Sequence, residues 1–188
     1  MTRLRLHFVA LVATLISVPA GAAPFSICYD FRCKSQAQVT LSEADWAVVG
    51  AAFGTARSAA EERRSIARAV AALERLIGPR TGTALDKGGN RAGSGMPGQM
   101  DCIDESRNTT TYLQALAHRD LLRWHRVDGR AKRTTWVLFA HWTAVISEPG
   151  GESYAVDSWP RDNGELPYVQ PLSDWKRHRD PPQSAALL

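Results

Sequence analysis

The sequence predicts an α+β fold in which N-terminal helices pack on a small antiparallel sheet. Two observations carry this. Between residues 42 and 77, apolar side chains recur at helical spacing. Between 121 and 158, short apolar runs are separated by Asp-Gly and Pro-Gly-Gly turn signals. A third helix, opening at Cys102, joins the two halves.

The N-terminus comes first. Arg3 and Arg5 precede an apolar stretch from Phe8 to Val18, and Ala20-Gly21-Ala22 offers a small-residue cleavage site. The pattern predicts a secretory signal peptide over residues 1–22, because the apolar run is far short of the ~20 residues a bilayer span requires. The chain is therefore expected to be exported, to a bacterial periplasm, with no membrane span after signal cleavage. Residues 23–176 are expected to form one domain, and the Pro-rich, polar residues 177–188 a frayed tail. Removing residues 1–22 takes away two arginines and no acid, which lowers the formal net charge from +4 to +2. The remaining Lys and Arg are scattered among acids and apolar positions, with no basic face interleaved with aromatics, so nucleic acid is not an expected partner.

The sequence holds three cysteines. Cys28 and Cys33, in Cys-Tyr-Asp-Phe-Arg-Cys, are expected to form a local disulfide, which leaves Cys102 free. The competing arrangements are a bridge from Cys102 to either of them, or a Cys102 buried as a small hydrophobe. An unpaired thiol is a liability in an oxidising compartment, which points to a thiol kept for chemistry.

Ser42 and Asp45 form a capping box for a helix through Trp46, Val49 and Phe53. A second amphipathic helix from Ser58 to Ile77 turns Ile66, Val70, Leu73 and Ile77 to one side, and Gly78-Pro79 is expected to end it. Residues 78–99 are a glycine-rich loop that matches no phosphate cradle and is expected to be a flexible wall leading to Cys102. Asp101 is the expected N-cap and Asp104 its N3 partner, with Cys102 the first residue of a helix reaching about His118. A strand near Leu121–Val127, an Asp128-Gly129 hairpin turn and a long strand from about Thr134 to Ile146 follow. Glu148-Pro149-Gly150-Gly151 turns the chain into another strand, Ser153 to Ser158. In the long strand both alternating sets are largely apolar (Trp136, Leu138 and Trp142 against Val137, Phe139 and Val145), which predicts a central strand covered on both faces.

The last turn also locates two side chains. If residue 146 faces 153 or 154, His141 lies opposite 158 or 159, within a residue or two of Asp157. Opposed Cβ atoms are ~5 Å apart and diagonal ones ~7–8 Å, within reach of a hydrogen bond. A thiol at the first position of a helix feels the positive end of the macrodipole, whereas Asp101, Asp104 and Glu105 oppose ionisation. His118, at a helix C-terminus, and His125, beside Trp124, have no partners at metal-ligand spacing. No Cys-x-x-Cys or His-Glu-x-x-His motif is present, so no metal and no other cofactor is expected. The Asn108-Thr109-Thr110 sequon falls within the predicted helix.

Asp-Cys-Ile-Asp (101–104), His-Trp (141–142) and Tyr-Ala-Val-Asp-Ser-Trp (154–159) resemble the core of the transglutaminase-like superfamily. The pattern is similar to that of bacterial transglutaminase-like cysteine peptidases, whose nucleophile motif is Gly-Asp-Cys-x-Asp. Met100 stands where that motif has glycine. The resemblance covers roughly residues 99–160 and implies a papain-like, transglutaminase-like core. It implies Cys102 as nucleophile, His141 as general base and acid, and Asp157 as the residue orienting the imidazole. The activity implied is that of a cysteine hydrolase (peptidase or amidase) or acyltransferase, working through a thioester on a peptide or protein amide, including one in the cell envelope. The oxyanion hole would use the Cys102 N–H and a side-chain donor, for which Gln99 is the candidate, and Trp142 and Trp159 would line the cleft. The alternative is a non-catalytic module that binds a peptide or envelope component through the glycine-rich loop and the tryptophans.

Overall fold

The computed structural model describes residues 24–135 and 139–181. The signal peptide expected over 1–22, the 136–138 stretch of the predicted long strand and the tail beyond 181 lie outside the described residues.

Strands β1 (Phe25–Tyr29) and β2 (Ser35–Val39) pair as a two-stranded antiparallel hairpin. Helix α1 (Glu43–Phe53) follows, and Ser42 and Asp45 form the predicted capping box. Helix α2 (Ala59–Thr81) is capped by Ser58. Its Ile66, Val70, Leu73 and Ile77 enter the main core with Val49, Phe53 and residues from α3 and the sheet, as their spacing predicts. The helix does not stop at Gly78-Pro79. Proline fits helical φ, and a missing N–H in a last turn removes a single bond. The stop comes at Gly82, in the left-handed region (φ +82), where a side chain would be strained. Gly78 instead serves a close approach, since a Cβ there would stand 2.9 Å from the Ala84 Cα in the 3-10 turn Thr83–Leu85.

Helix α3 (Cys102–His118) begins and ends where predicted and buries Tyr112, Leu113 and Leu116. Beyond it a four-stranded antiparallel sheet runs in the order β3 (Arg126–Thr135), β4 (Phe139–Ser147), β5 (Ser153–Asp157), β6 (Tyr168–Pro171). Two expectations fail here. Residues 121–125 form no strand, and Asp128-Gly129 makes no hairpin turn but sits inside β3, where the register shifts between Val127 and Gly129. An Asp-Gly pair supplies the positive φ (+93 at Gly129) that a β-bulge uses as readily as a turn. The predicted long strand is thus divided between the end of β3 and β4. Strand β4 lies between β3 and β5 and is buried from Thr143 to Ser147, in accord with a central strand.

The 148–152 turn forms as expected, with Gly151 N–H donating to Glu148 O at 2.9 Å. It sets Ile146 opposite Tyr154. A short helix, α4 (Leu172–Lys176), follows β6 and buries Trp175. Just beyond α4, Asp180 accepts two bonds from Arg133, at 2.7 and 2.8 Å, and one from Gln170 at 3.1 Å. Among the described residues no helix is long and apolar enough to cross a membrane.

Candidate active site

The thiol is set by the cap beneath it. The Asp101 Oδ1 accepts the Ile103 and Asp104 N–H groups at 3.0 Å, and Asp104 bonds back to the Asp101 N–H, closing a capping box. This cap fixes Cys102 as the first helical residue, half-buried, with Sγ 3.7 Å from the Ala140 carbonyl on β4. Cys28 and Cys33 form the disulfide and Cys102 is free, so the expected pairing holds and the competing ones do not.

The bridged loop docks on the same cap. Asp30, Phe31, Arg32 and Cys33 all have positive φ, and this left-handed turn aims the Arg32 N–H at Asp101 Oδ2 (3.2 Å) and the Cys33 N–H at Asp104 Oδ1. Asn108, one helical turn farther on, uses its amide like a strand neighbour. It accepts the Cys28 N–H and donates to the Cys28 carbonyl, both at 2.8 Å. The sequon asparagine is therefore buried and fully engaged.

His141 and Asp157 meet. Pairing of β4 with β5 stops at Ala144 and Val156, in the register that continues to put His141 opposite residue 159 and Asp157 two places back on the same side. The imidazole Nε2 lies 2.6 Å from Asp157 Oδ2, and both side chains are buried. In the neutral ring this bond holds the proton on Nε2 and leaves Nδ1, which has no partner, as the basic nitrogen. Trp175 was not anticipated. Its indole N–H donates to the same Asp157 oxygen at 2.7 Å, and its ring, with that of Trp159, packs at 5.4 and 4.9 Å from the imidazole.

Cys102 and His141 line one cleft of about 220 Å³, shared with Phe31, Arg32, Asn90, Arg91, Asp101, Phe139, Ala140 and Trp159. Trp159 is thus in the expected place and Trp142 is not. Successive strand residues alternate sides, so Trp142 departs from His141 and lies under the Arg130 guanidinium, 4.8 Å from its ring centroid. Gln99 is also not the expected donor. It is buried, its amide donates to the Leu85 carbonyl at 3.0 Å, and its oxygen accepts from Asn90 Nδ2 at 2.6 Å. It staples the glycine-rich loop rather than facing the thiol.

That loop is tied down rather than free. Met100 N–H donates to Asp86 Oδ1 at 2.7 Å, Gly98 N–H to Asp30 at 3.0 Å, and Gly88 N–H to Asp162 at 2.9 Å. Behind it lies a buried group of acids. Burial pushes Glu74 up to about 8, and Asp86 and Asp104 each up to about 6. Glu105 is pushed well above the carboxylate range by burial and then by the neighbouring Glu74 and Asp86. The Cys102 thiol also rises, first through burial, with Asp101 and Asp157 adding to it, while the Trp142 N–H pulls the other way. The macrodipole therefore does not prevail at the sulfur. Cys28, Cys33 and Asp104 come close enough to hold an ion, but the two sulfurs are bonded to each other. No family model, curated protein or solved structure matches the chain.

Proposed function

We propose that this protein is an exported cysteine hydrolase, a peptidase or amidase, or an acyltransferase built on a papain-like, transglutaminase-type core. The observation that carries the reading is the imidazole, fixed through Nε2 by Asp157 with Nδ1 unpartnered, in the same cleft as the free Cys102 thiol. The order of the motifs at 101–104, 141–142 and 154–159 supports it, and the disulfide is compatible with export.

Because the thiol is held neutral, its proton leaves at the moment of attack. The sulfur adds to an amide carbonyl carbon as His141 Nδ1 takes the thiol proton. The C–N bond then breaks, the amine departs with that proton, and a thioester remains on Cys102. Water or a second amine resolves the thioester with His141 again as base. Asp101 caps the N–H groups of Ile103 and Asp104, so that of Cys102 is free to donate to the oxyanion.

The test uses p-nitrophenyl acetate as acyl donor. Cys102 should gain one acetyl group, released by hydroxylamine, and His141→Ala should slow acylation by about a hundredfold or more. No acetyl on Cys102, or an unchanged rate in His141→Ala, would sink the reading. The raised thiol pKa favours a second reading, a non-catalytic peptide-binding module. It would be supported by ligand affinity that survives in a folded His141→Ala protein lacking acylation.

A further inference from the structure

The cleft that holds Cys102 lies beside a second one of about 540 Å³. The two share Phe31, Arg32 and Arg91, and the second adds Lys34 with Asp30 and Ser94. Together they bring three cations to the approach to the thiol. Among the described residues none of these three has an ion-pair partner, whereas Arg63, Arg80, Arg119 and Arg133 are each matched to a carboxylate. The acids on this wall are already engaged. Asp30 accepts the Gly98 N–H, Asp101 accepts three N–H groups, and Asp104 accepts that of Cys33. The carboxylates of Asp30 and Asp101 keep their charge but are turned onto backbone donors, while the three cations have no ion-pair partner and outnumber them on the walls of the two clefts.

The cations are also positioned. Arg32 sits in the left-handed turn between the bridged cysteines, its N–H fixed on Asp101. The Arg91 guanidinium lies 5.3 Å from the Phe139 ring centroid and 5.6 Å from that of Trp159, and both rings line the thiol's cleft. A guanidinium over aromatic faces keeps its outer N–H groups available for a carboxylate. A strand-like peptide advances ~3.3 Å per residue, so one that passes from the first cleft along the shared Phe31, Arg32 and Arg91 to the second places several residues on one side of the bond at Cys102.

We infer that Arg32, Lys34 and Arg91 form a subsite for the carboxylate side chains of an acidic peptide whose scissile amide lies at Cys102, an inference that rests on the acyl-transfer reading. The subsite selects among amides by charge. Peptides bearing Glu or Asp close to the bond are drawn in and held, and basic ones are repelled.

The experiment compares alkylation of Cys102 in the purified, oxidised protein by iodoacetate and by iodoacetamide at one pH. The ratio of the two rates cancels the thiolate fraction and reports the field at the sulfur. Taken relative to the ratio for N-acetylcysteinamide, which allows for the nearby Asp101 and Asp157, it should fall about threefold in each of R32Q and R91Q and about tenfold in the double variant. High salt should bring it towards the small-molecule value. Tetra-glutamate should protect Cys102 from iodoacetamide where tetra-lysine does not, and the double variant should lose that protection. A ratio unchanged in both single variants, or equal protection by the two peptides, overturns the inference. Free glutamate protecting as well as tetra-glutamate overturns the assignment to a peptide. R91Q alters an exposed loop side chain that makes no hydrogen bond among the described residues, which keeps the test readable if R32Q misfolds. If p-nitrophenyl acetate leaves Cys102 unacylated, the acyl-transfer reading fails while the ratio remains measurable.

Discussion

Glu74→Gln should stabilise the protein at neutral pH and have little effect in mild acid. Glu74 is 3% exposed, its Oε2 accepts the Gly164 N–H at 2.7 Å, and its Oε1 has no partner. Burial lifts its pKa from 4.5 to about 8, more than the Gly164 bond lowers it. The folded protein therefore holds a proton that the unfolded chain releases above pH 4.5. Folding takes up that proton between the two values, so stability is greatest below pH 4.5 and falls as pH rises towards 8. The penalty is about 3 kcal/mol at pH 7 and under ~1 kcal/mol at pH 5. Glutamine keeps an acceptor for Gly164, adds a donor beside it and never ionises. Its advantage over the natural residue should then be about 2 kcal/mol greater at pH 7 than at pH 5. Urea unfolding at both pH values would read this as a difference of about 1 M between the midpoint shifts, for a slope near ~2 kcal/mol per molar. Equal shifts at the two pH values, or a variant relatively weaker at pH 7, would refute the reasoning.

Trp175→Phe removes the indole donor from Asp157 while keeping an aromatic ring, and should slow acylation of Cys102 by about tenfold with an unchanged circular dichroism spectrum. Asn108→Ala leaves the Cys28 N–H and carbonyl unpaired in the interior and should cost about 2–4 kcal/mol in urea unfolding. Burial, with Asp101 and Asp157 adding to it, raises the thiol pKa, so ionisation comes later than for a free cysteine. Alkylation of Cys102 by iodoacetamide should thus keep accelerating beyond about pH 9, and a plateau near pH 7 would contradict this.

What the sequence reveals here is what is local. The Ser42–Asp45 and Asp101–Asp104 boxes each span four residues, so two helix starts, and the place of the thiol, can be read directly. The His141–Asp157 pairing was legible by counting outward from a turn whose Pro-Gly-Gly chemistry is equally local. Asp128-Gly129 misleads because turn and bulge demand the same positive φ, and only the partner strand decides between them. Trp175 reaches Asp157 from beyond an entire strand, β6, with no nearby pattern to announce it. Glu62 and Glu74 look no different in sequence from the exposed Arg64, Arg68 and Arg75 on the same helix. Their burial is set by partners some sixty to ninety residues away, the 123–125 N–H groups for Glu62 and Gly164 for Glu74. Gln99 likewise stands close to Cys102 in sequence yet turns to Leu85 and Asn90.

The segment from Asp30 to Cys33 carries side chains through a conformation that suits glycine, at a cost of order 1 kcal/mol per residue. Phe31 and Arg32 belong to both clefts, so the discomfort falls on residues whose side chains shape the opening. Replacing either with glycine would relax the main chain and blank the surface in one stroke. Selection for a sturdier molecule and selection for a discriminating one pull in opposite directions at these positions.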